Sequence, residues 1–198
     1  MVISEQIPGS WCRMWSEDAT LARELLGGDA RQWSGVGERL DSVVGPAAMT
    51  EFVRTYQRNV GNTFAPRTLV IDGNERLAYT WDVTRRDGTV VTGIDVCVLR
   101  DGVVTLNWTV PARERSDLPD GPGIKVLPAD ARALDRAGLT AVAAGLYPWH
   151  GDLVVDVERQ TVGGVWSDGG VGGLAVIVVT DGAVARSWSL PGTRPLAY

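Results

Sequence analysis

GIDVCVLRDGVVTLNWTVP, residues 93–111, and GLAVIVVTDGAVARSWSLP, residues 173–191, align without a gap. Eight of the nineteen positions are identical: Gly93/Gly173, Val96/Val176, Val98/Val178, Asp101/Asp181, Gly102/Gly182, Val104/Val184, Trp108/Trp188 and Pro111/Pro191. An Asp-Gly pair between β-rich runs marks a hairpin, because the tight turn needs positive φ. The chain therefore carries one hairpin twice. The copies differ in chemistry: the first has Asp95 and Asn107 where the second has Ala175 and Ser187.

Around the first copy the pattern extends upstream. From Arg67 the period is two, and strands are expected at 66–72, 76–85, 89–100 and 103–110. Asp72-Gly73-Asn74, Asp87-Gly88 and Asp101-Gly102 separate them. Before them, Trp11, Met14, Trp15, Ala22, Leu25 and Leu26 share a helical face, which Gly27-Gly28 ends. Asp18 sits in the middle of that face and also suits a helix N-cap. A second helix starts at Gly45-Pro46, carries Met49, Phe52, Val53, Tyr56 and Val60, and stops at Gly61.

After the first hairpin, Pro111, Pro119, Pro122 and Pro128 with Gly121 and Gly123 read as a linker over 112–128. An alanine-rich helix follows over 129–146, with strands near 152–160, 173–180 and 183–190. The organisation expected is a helix-then-meander domain over 1–111 and a degenerate, shortened copy over 129–198 packing on it.

With 198 residues, 44% of them hydrophobic and 22% charged, the chain can build a substantial core. A net charge of −5 without a basic stripe argues against nucleic acid as a partner. No run reaches the length of a membrane span, and no basic-then-apolar leader is seen at the N-terminus. Cys12 and Cys97 read as reduced thiols of a cytoplasmic protein. No metal site is expected, since His150 is the single histidine and no cysteine pair has ligand spacing.

The stretch Gly93-Ile94-Asp95, Leu99 to Val104 and Asn107-Trp108-Thr109, placed after two helical segments, resembles the last hairpin of SnoaL-like proteins. These belong to the nuclear-transport-factor-2-like superfamily, with polyketide cyclases, ketosteroid isomerases and limonene-type epoxide hydrolases. The resemblance covers residues 10–111. It implies an α+β fold, a cone-shaped barrel of curved antiparallel sheet wrapped on N-terminal helices, with a pocket at the open end. It also implies cofactor-independent cyclisation, isomerisation or epoxide opening of a small apolar metabolite, in secondary metabolism. In the family's cyclases an aspartate directly after the tryptophan is the general acid/base, assisted by a polar residue on the neighbouring strand. Those positions fall here on Thr109 and Asp95, so the chain departs from the pattern at the first and keeps a carboxylate at the second.

The residues themselves also single out Asp95. It shares a strand face with Cys97 and Leu99, while Ile94, Val96 and Val98 face the other way. A carboxylate in such an apolar run is costly unless it is hydrogen-bonded, paired or at a pocket. Burial there raises its pKa toward the range of a useful base. The second copy builds the same hairpin with Ala175, so the turn does not demand the acid. Asn107, Thr109, Tyr56, Trp15, Trp81 and Asp18 are the substrate-binding candidates around it. For Tyr56 and the tryptophans the competing reading is core packing, and for His150 a turn position away from any site. Two functions stay open: an enzyme using Asp95 as base, and a non-catalytic ligand- or partner-binding module on the same fold. The second copy suits covering a sheet face, the surface through which folds of this type dimerise, and a homodimer through that face stays open.

Overall fold

The computed structural model describes residues 3–73, 75–118 and 132–198. Asn74 of the expected first turn, the proline-rich part of the expected linker and the first residues of the expected third helix lie outside them.

The apolar face near the N-terminus is broken into three pieces. Helix α1 spans Ile7–Ser16, and the four-residue helix α2 spans Ala22–Leu25. Between them Asp18 caps a 3-10 turn, accepting hydrogen bonds from the Thr20 N–H at 3.0 Å and from its hydroxyl. Leu26, expected to end the helix, instead begins strand β1, Leu26–Ser34. The long helix α3, Gly45–Asn59, starts as the Gly-Pro pair implies. Gly45 has φ +73, and a Cβ there would collide with the Gly28 carbonyl, so the entry to α3 requires glycine.

Four antiparallel strands follow as a meander: β2 (Thr63–Asp72), β3 (Arg76–Thr84), β4 (Val90–Arg100) and β5 (Val103–Pro111). β1 then adds to β5 in parallel, giving a five-stranded sheet in the order β1-β5-β4-β3-β2. The fold is α+β with a curved sheet. The sheet does not close into a barrel, since β1 and β2 are its two edges.

Between Val98 and Leu99 the β4–β5 register slips by one residue at Thr105. Side chains alternate along a strand, so this bulge reverses which face each later β5 residue occupies. It places Asn107 opposite Cys97 and Thr109 opposite Asp95, on the helix-facing side, and turns Trp108 and Val110 to the other.

The second half comprises α4 (Arg136–Ala144), β6 (Trp149–Asp156), β7 (Thr161–Asp168), β8 (Val171–Thr180) and β9 (Ala183–Pro191). The expected strand over 152–160 ends at Asp156, and β7 is an additional strand. The four strands form one sheet in the order β6-β7-β8-β9. Every β8–β9 pair repeats a β4–β5 pair eighty residues on: Gly93↔Pro111 becomes Gly173↔Pro191, and Val96↔Trp108 becomes Val176↔Trp188. The slip recurs between Val178 and Val179. Asp101 and Asp181 share φ 53, and Gly102 and Gly182 have φ 79 and 77. The bonds Thr92 N–H to Glu114 O and Ala112 N–H to Thr92 O recur as Gly172 to Arg194 and Gly192 to Gly172.

The layers stack as helices, five-stranded sheet, four-stranded sheet and α4. Trp11, Met14, Met49, Val53, Leu77 and Leu99 fill the first interface. Trp33, Ile94, Val96 and Trp108 meet Leu174, Val176 and Leu190 in the second. Leu139 and Ala143 of α4 cover Val162 and Ile177 in the third. Gly163 lets the two sheets approach, since a Cβ there would stand 2.5 Å from that of Ala78. The sheet face that the sequence left open to a homodimer is therefore buried within the chain.

Polar contacts lock the halves together. Buried Asp156 accepts the Ile71 N–H at 3.0 Å and pairs with Arg159, which reaches Glu5 at 2.9 Å. The tail crosses β1 and β5, where Trp33 Nε1 donates to the Pro195 carbonyl at 3.0 Å and Trp108 Nε1 to that of Ala197 at 3.3 Å. The described part of the linker is ordered. The Arg67 guanidinium donates to the Ser116 and Leu118 carbonyls, and Leu118 is buried in the inter-sheet core.

Candidate functional site

A cavity of about 280 Å³ lies between the helices and the concave face of the five-stranded sheet. Five aromatic side chains line it: Trp11, Trp15, Tyr56, Phe64 and Trp81. Trp15 meets Tyr56 edge-on with ring centroids 5.2 Å apart, and Phe64 bridges Trp15 at 6.0 Å and Trp81 at 5.3 Å. Such offset packing suits rings whose faces and edges carry opposite partial charge. Its polar lining includes Asp95, Asn107, Thr109, Tyr56, Asn62 and Arg85.

Asp95 is 2% exposed and forms the floor. Trp81 Nε1 donates to its Oδ1 at 2.7 Å. The Tyr79 hydroxyl donates to Oδ2 at 3.0 Å, and Asn107 Nδ2 donates to the same oxygen at 3.2 Å. Strand register explains the cluster, because Tyr79 and Thr109 stand directly opposite Asp95 on its two neighbouring strands. Burial drives the carboxyl above its ordinary pKa. Hydrogen bonding by Thr109, Trp81, Tyr79 and Asn107 opposes that rise without cancelling it. Burial, and after it the carboxylate, push the phenol of Tyr79 and the thiol of Cys97 well up, and Cys12 at the cavity wall is raised for the same two reasons.

Of the residues singled out from the sequence, Asp95, Asn107, Thr109, Tyr56, Trp15 and Trp81 all line this one cavity. Asp18 does not join them. It is solvent-exposed, and its carboxylate is occupied by Thr20, which holds it below its ordinary pKa. His150 is exposed in β6, on the far sheet. Trp33 faces the second sheet.

Three contributors, Tyr79, Asn62 and Arg85, and one buried neighbour, Gln32, escaped sequence reading. Tyr79 was legible: with the Asp87-Gly88 turn placed, period-two counting sets it across from Asp95. Asn62 and Arg85 lie in connections, where periodicity carries no signal. Gln32 comes from the unforeseen strand β1. It lies beside Asn107, is 1% exposed, and its amide makes no hydrogen bond to another described residue.

In the second sheet the equivalent place holds no acid. Trp166 lies over Gly173 as Trp81 lies over Gly93, but its Nε1 donates to Ser189 Oγ at 3.0 Å, and Ala175 stands in the acid's position. Tyr147, Trp149 and Trp166 pack together over that region.

Among the described residues, no helix is long and apolar enough to cross a membrane, and no group of three or more histidine, cysteine or acidic side chains is placed to hold a metal.

No family profile and no curated protein sequence matches the chain. Solved structures do. A protein with a cystatin-like fold from Methylobium petroleophilum superposes with a TM-score of 0.50 at 17% identity, over 58% of this chain and 79% of that one. A SnoaL-like family protein from Agrobacterium tumefaciens matches over 57% of this chain and 99% of that one, with a TM-score of 0.48 at 18% identity. A protein named for ketosteroid isomerase, from Kribbella flavida, matches over 67% and 95%, with a TM-score of 0.45 at 20% identity. The first of these likenesses bears on the fold alone: 58% of the chain superposes on a protein with a cystatin-like fold.

Proposed function

We propose that the chain is a small-molecule enzyme of SnoaL-like type, using Asp95 as general base on a largely apolar metabolite. The observation that carries this reading is a carboxylate at the floor of an aromatic cavity, with a raised pKa and no cation beside it among the described residues. Such a group, when ionised, gains from accepting a proton. Asp95 takes a proton from a carbon next to a carbonyl. The electron pair moves onto the carbonyl oxygen, where the Thr109 hydroxyl, the Asn107 amide or the Tyr56 hydroxyl donates to it. Return of the proton to another carbon completes an isomerisation; attack of the enolate on a second carbonyl, whose oxygen takes the proton back from Asp95, completes a cyclisation. With an epoxide, the same base would deprotonate an attacking water.

Proton exchange tests this without the natural substrate. The protein should accelerate deuterium incorporation next to the carbonyl of 2-tetralone in D2O, followed by NMR. Asp95→Asn should lower that acceleration by about 10²–10⁴-fold. Equal exchange by both proteins refutes the catalytic reading. One observation favours a binding module instead: four side chains already donate to Asp95, so its lone pairs are nearly filled. Proton transfer then requires Asn107 or Thr109 to turn toward the ligand.

We also read residues 129–198 as a degenerate copy of the domain over 1–111, joined by the linker over 112–128, with the first domain an open cone. The repeated register, slip and turn geometry support that reading. The acid is kept only in the first copy, as Asp95, where the second has Ala175.

A further inference from the structure

Arg85 is the only cationic residue among those lining the cavity. It sits in the exposed β3–β4 turn, at the opposite end of the exposure gradient from Asp95. No acid lies within ion-pair distance of its guanidinium among the described residues. Asp87, the acid of the same turn, is occupied by the Thr89 N–H at 2.9 Å and the Thr89 hydroxyl at 2.7 Å. Arg86 packs against Gly61, where a Cβ would stand 2.7 Å from it. The β3–β4 turn thus brings two arginines and one acid, Asp87, to the rim beside the end of α3.

Tyr56 lies at the same end. Asn62 Nδ2 donates to its hydroxyl oxygen at 3.0 Å, which leaves the hydroxyl proton for an acceptor in the cavity. The Arg85 charge is near enough to act on that phenol. Donors therefore gather at the mouth, an acceptor waits at the floor, and aromatic walls lie between.

We propose that Arg85 and the Tyr56 hydroxyl form a carboxylate-recognition subsite, and that the ligand is a planar, largely apolar organic acid. Its carboxylate lies at the mouth, its rings lie against Trp15, Phe64 and Trp81, and its reacting end meets Asp95. This rests on the reading that the cavity is the ligand site, but not on Asp95 being catalytic.

The experiment is a tryptophan-fluorescence titration with 2-naphthoate and its neutral isostere 2-naphthamide. The protein should bind naphthoate about three- to tenfold more tightly, as an accessible charge-assisted contact gives. Salt should shrink that preference. Arg85→Gln should remove the preference while leaving naphthamide affinity unchanged, and Arg85→Lys should keep part of it. Equal affinity for the two probes, or a parallel loss of both in Arg85→Gln, overturns the proposal. Binding of neither probe at millimolar concentration overturns it together with the cavity reading. A naphthoate preference alongside unchanged deuterium exchange in Asp95→Asn would sink only the catalytic role.

Discussion

Trp81 lies across the bare Cα of Gly93: a Cβ added at Gly93 would stand only 2.2 Å from the indole ring. The two residues face each other on neighbouring strands, and the ring so placed reaches Asp95 with its Nε1. The glycine is what lets a tryptophan lie low enough to hold the acid. Gly93→Ala should displace the ring and cost about 1–3 kcal/mol by overpacking. It should also loosen Asp95 and weaken ligand binding. Gly173→Ala, which meets Trp166 in the same way, should cost similar stability and leave binding alone, because no acid stands beside that indole. Denaturant unfolding beside the naphthoate titration separates the two. Equal loss of binding in both variants would show that the effect is global.

The Asp95 titration makes a second prediction. Its folded pKa is raised, so the native state holds the proton more tightly than the unfolded chain does. Its contribution to stability is then fully present below the ordinary carboxylate pKa and is lost as pH rises through the folded value. Asp95→Asn should therefore be more stable than the parent at neutral pH, and this advantage should vanish in acid. The rate of exchange should rise with pH over the same window, since the base must be ionised. Tyr79→Phe removes one donor from the carboxylate. It should move the acid limb further up and cost about 1–3 kcal/mol. An acid limb that stays put in Tyr79→Phe would mean that Asp95 does not set the profile.

The thiols make a third. Cys12 and Cys97 are both buried near Asp95, and burial and its charge hold both thiols protonated. The thiolate is the reactive form. Native protein at pH 8 should resist iodoacetamide at both positions, read by mass spectrometry, and unfolding should expose both. Asp95→Asn should speed the reaction of Cys12, which lines the cavity, because one of the two causes is removed. Rapid alkylation of Cys12 in the parent protein would contradict this electrostatic description.

Asn107 and Thr109 could be placed on one face of β5 from the sequence by period-two alternation, but not on the face of Asp95, because regular counting from the Asp-Gly turn sets Trp108 across from Asp95. The bulge at Thr105 sets that face, and its recurrence eighty residues later was implicit in the ungapped alignment of the two hairpins. β1 was invisible for a physical reason. Leu26-Gly27-Gly28-Asp29-Ala30-Arg31-Gln32 has the composition of a loop, and it is a strand only because β5, far along the chain, offers a parallel partner. β7 was hidden likewise, since Gly163-Gly164 looks like a break. Gly163 is there for close sheet packing against Ala78, and Gly164 for the Trp149 ring and Leu153. Arg85 stands last in the strand expected over 76–85, and the structure places it in the turn after β3. Its role depends on where the turn falls relative to the end of α3, which is tertiary information.

The inter-sheet core carries the last prediction. Val70, Ala78, Ile94, Val96, Trp108 and Val110 form the outer face of the five-stranded sheet, and β6–β9 bury them. A contiguous apolar face of that kind drives association when it is left open to water. A chain cut after Leu118 keeps the helices, the cavity and all five strands, yet should aggregate or self-associate, as light scattering would show. Leu174→Ala in the intact chain opens a cavity in the same interface and should cost about 2–5 kcal/mol. That loss should leave the naphthoate affinity of the folded protein unchanged, since Leu174 lies on the side of the sheet away from Asp95. A soluble, monomeric and cooperatively melting 1–118 fragment would mean that the first half stabilises its own outer face. The second sheet would then have to be explained by something other than cover.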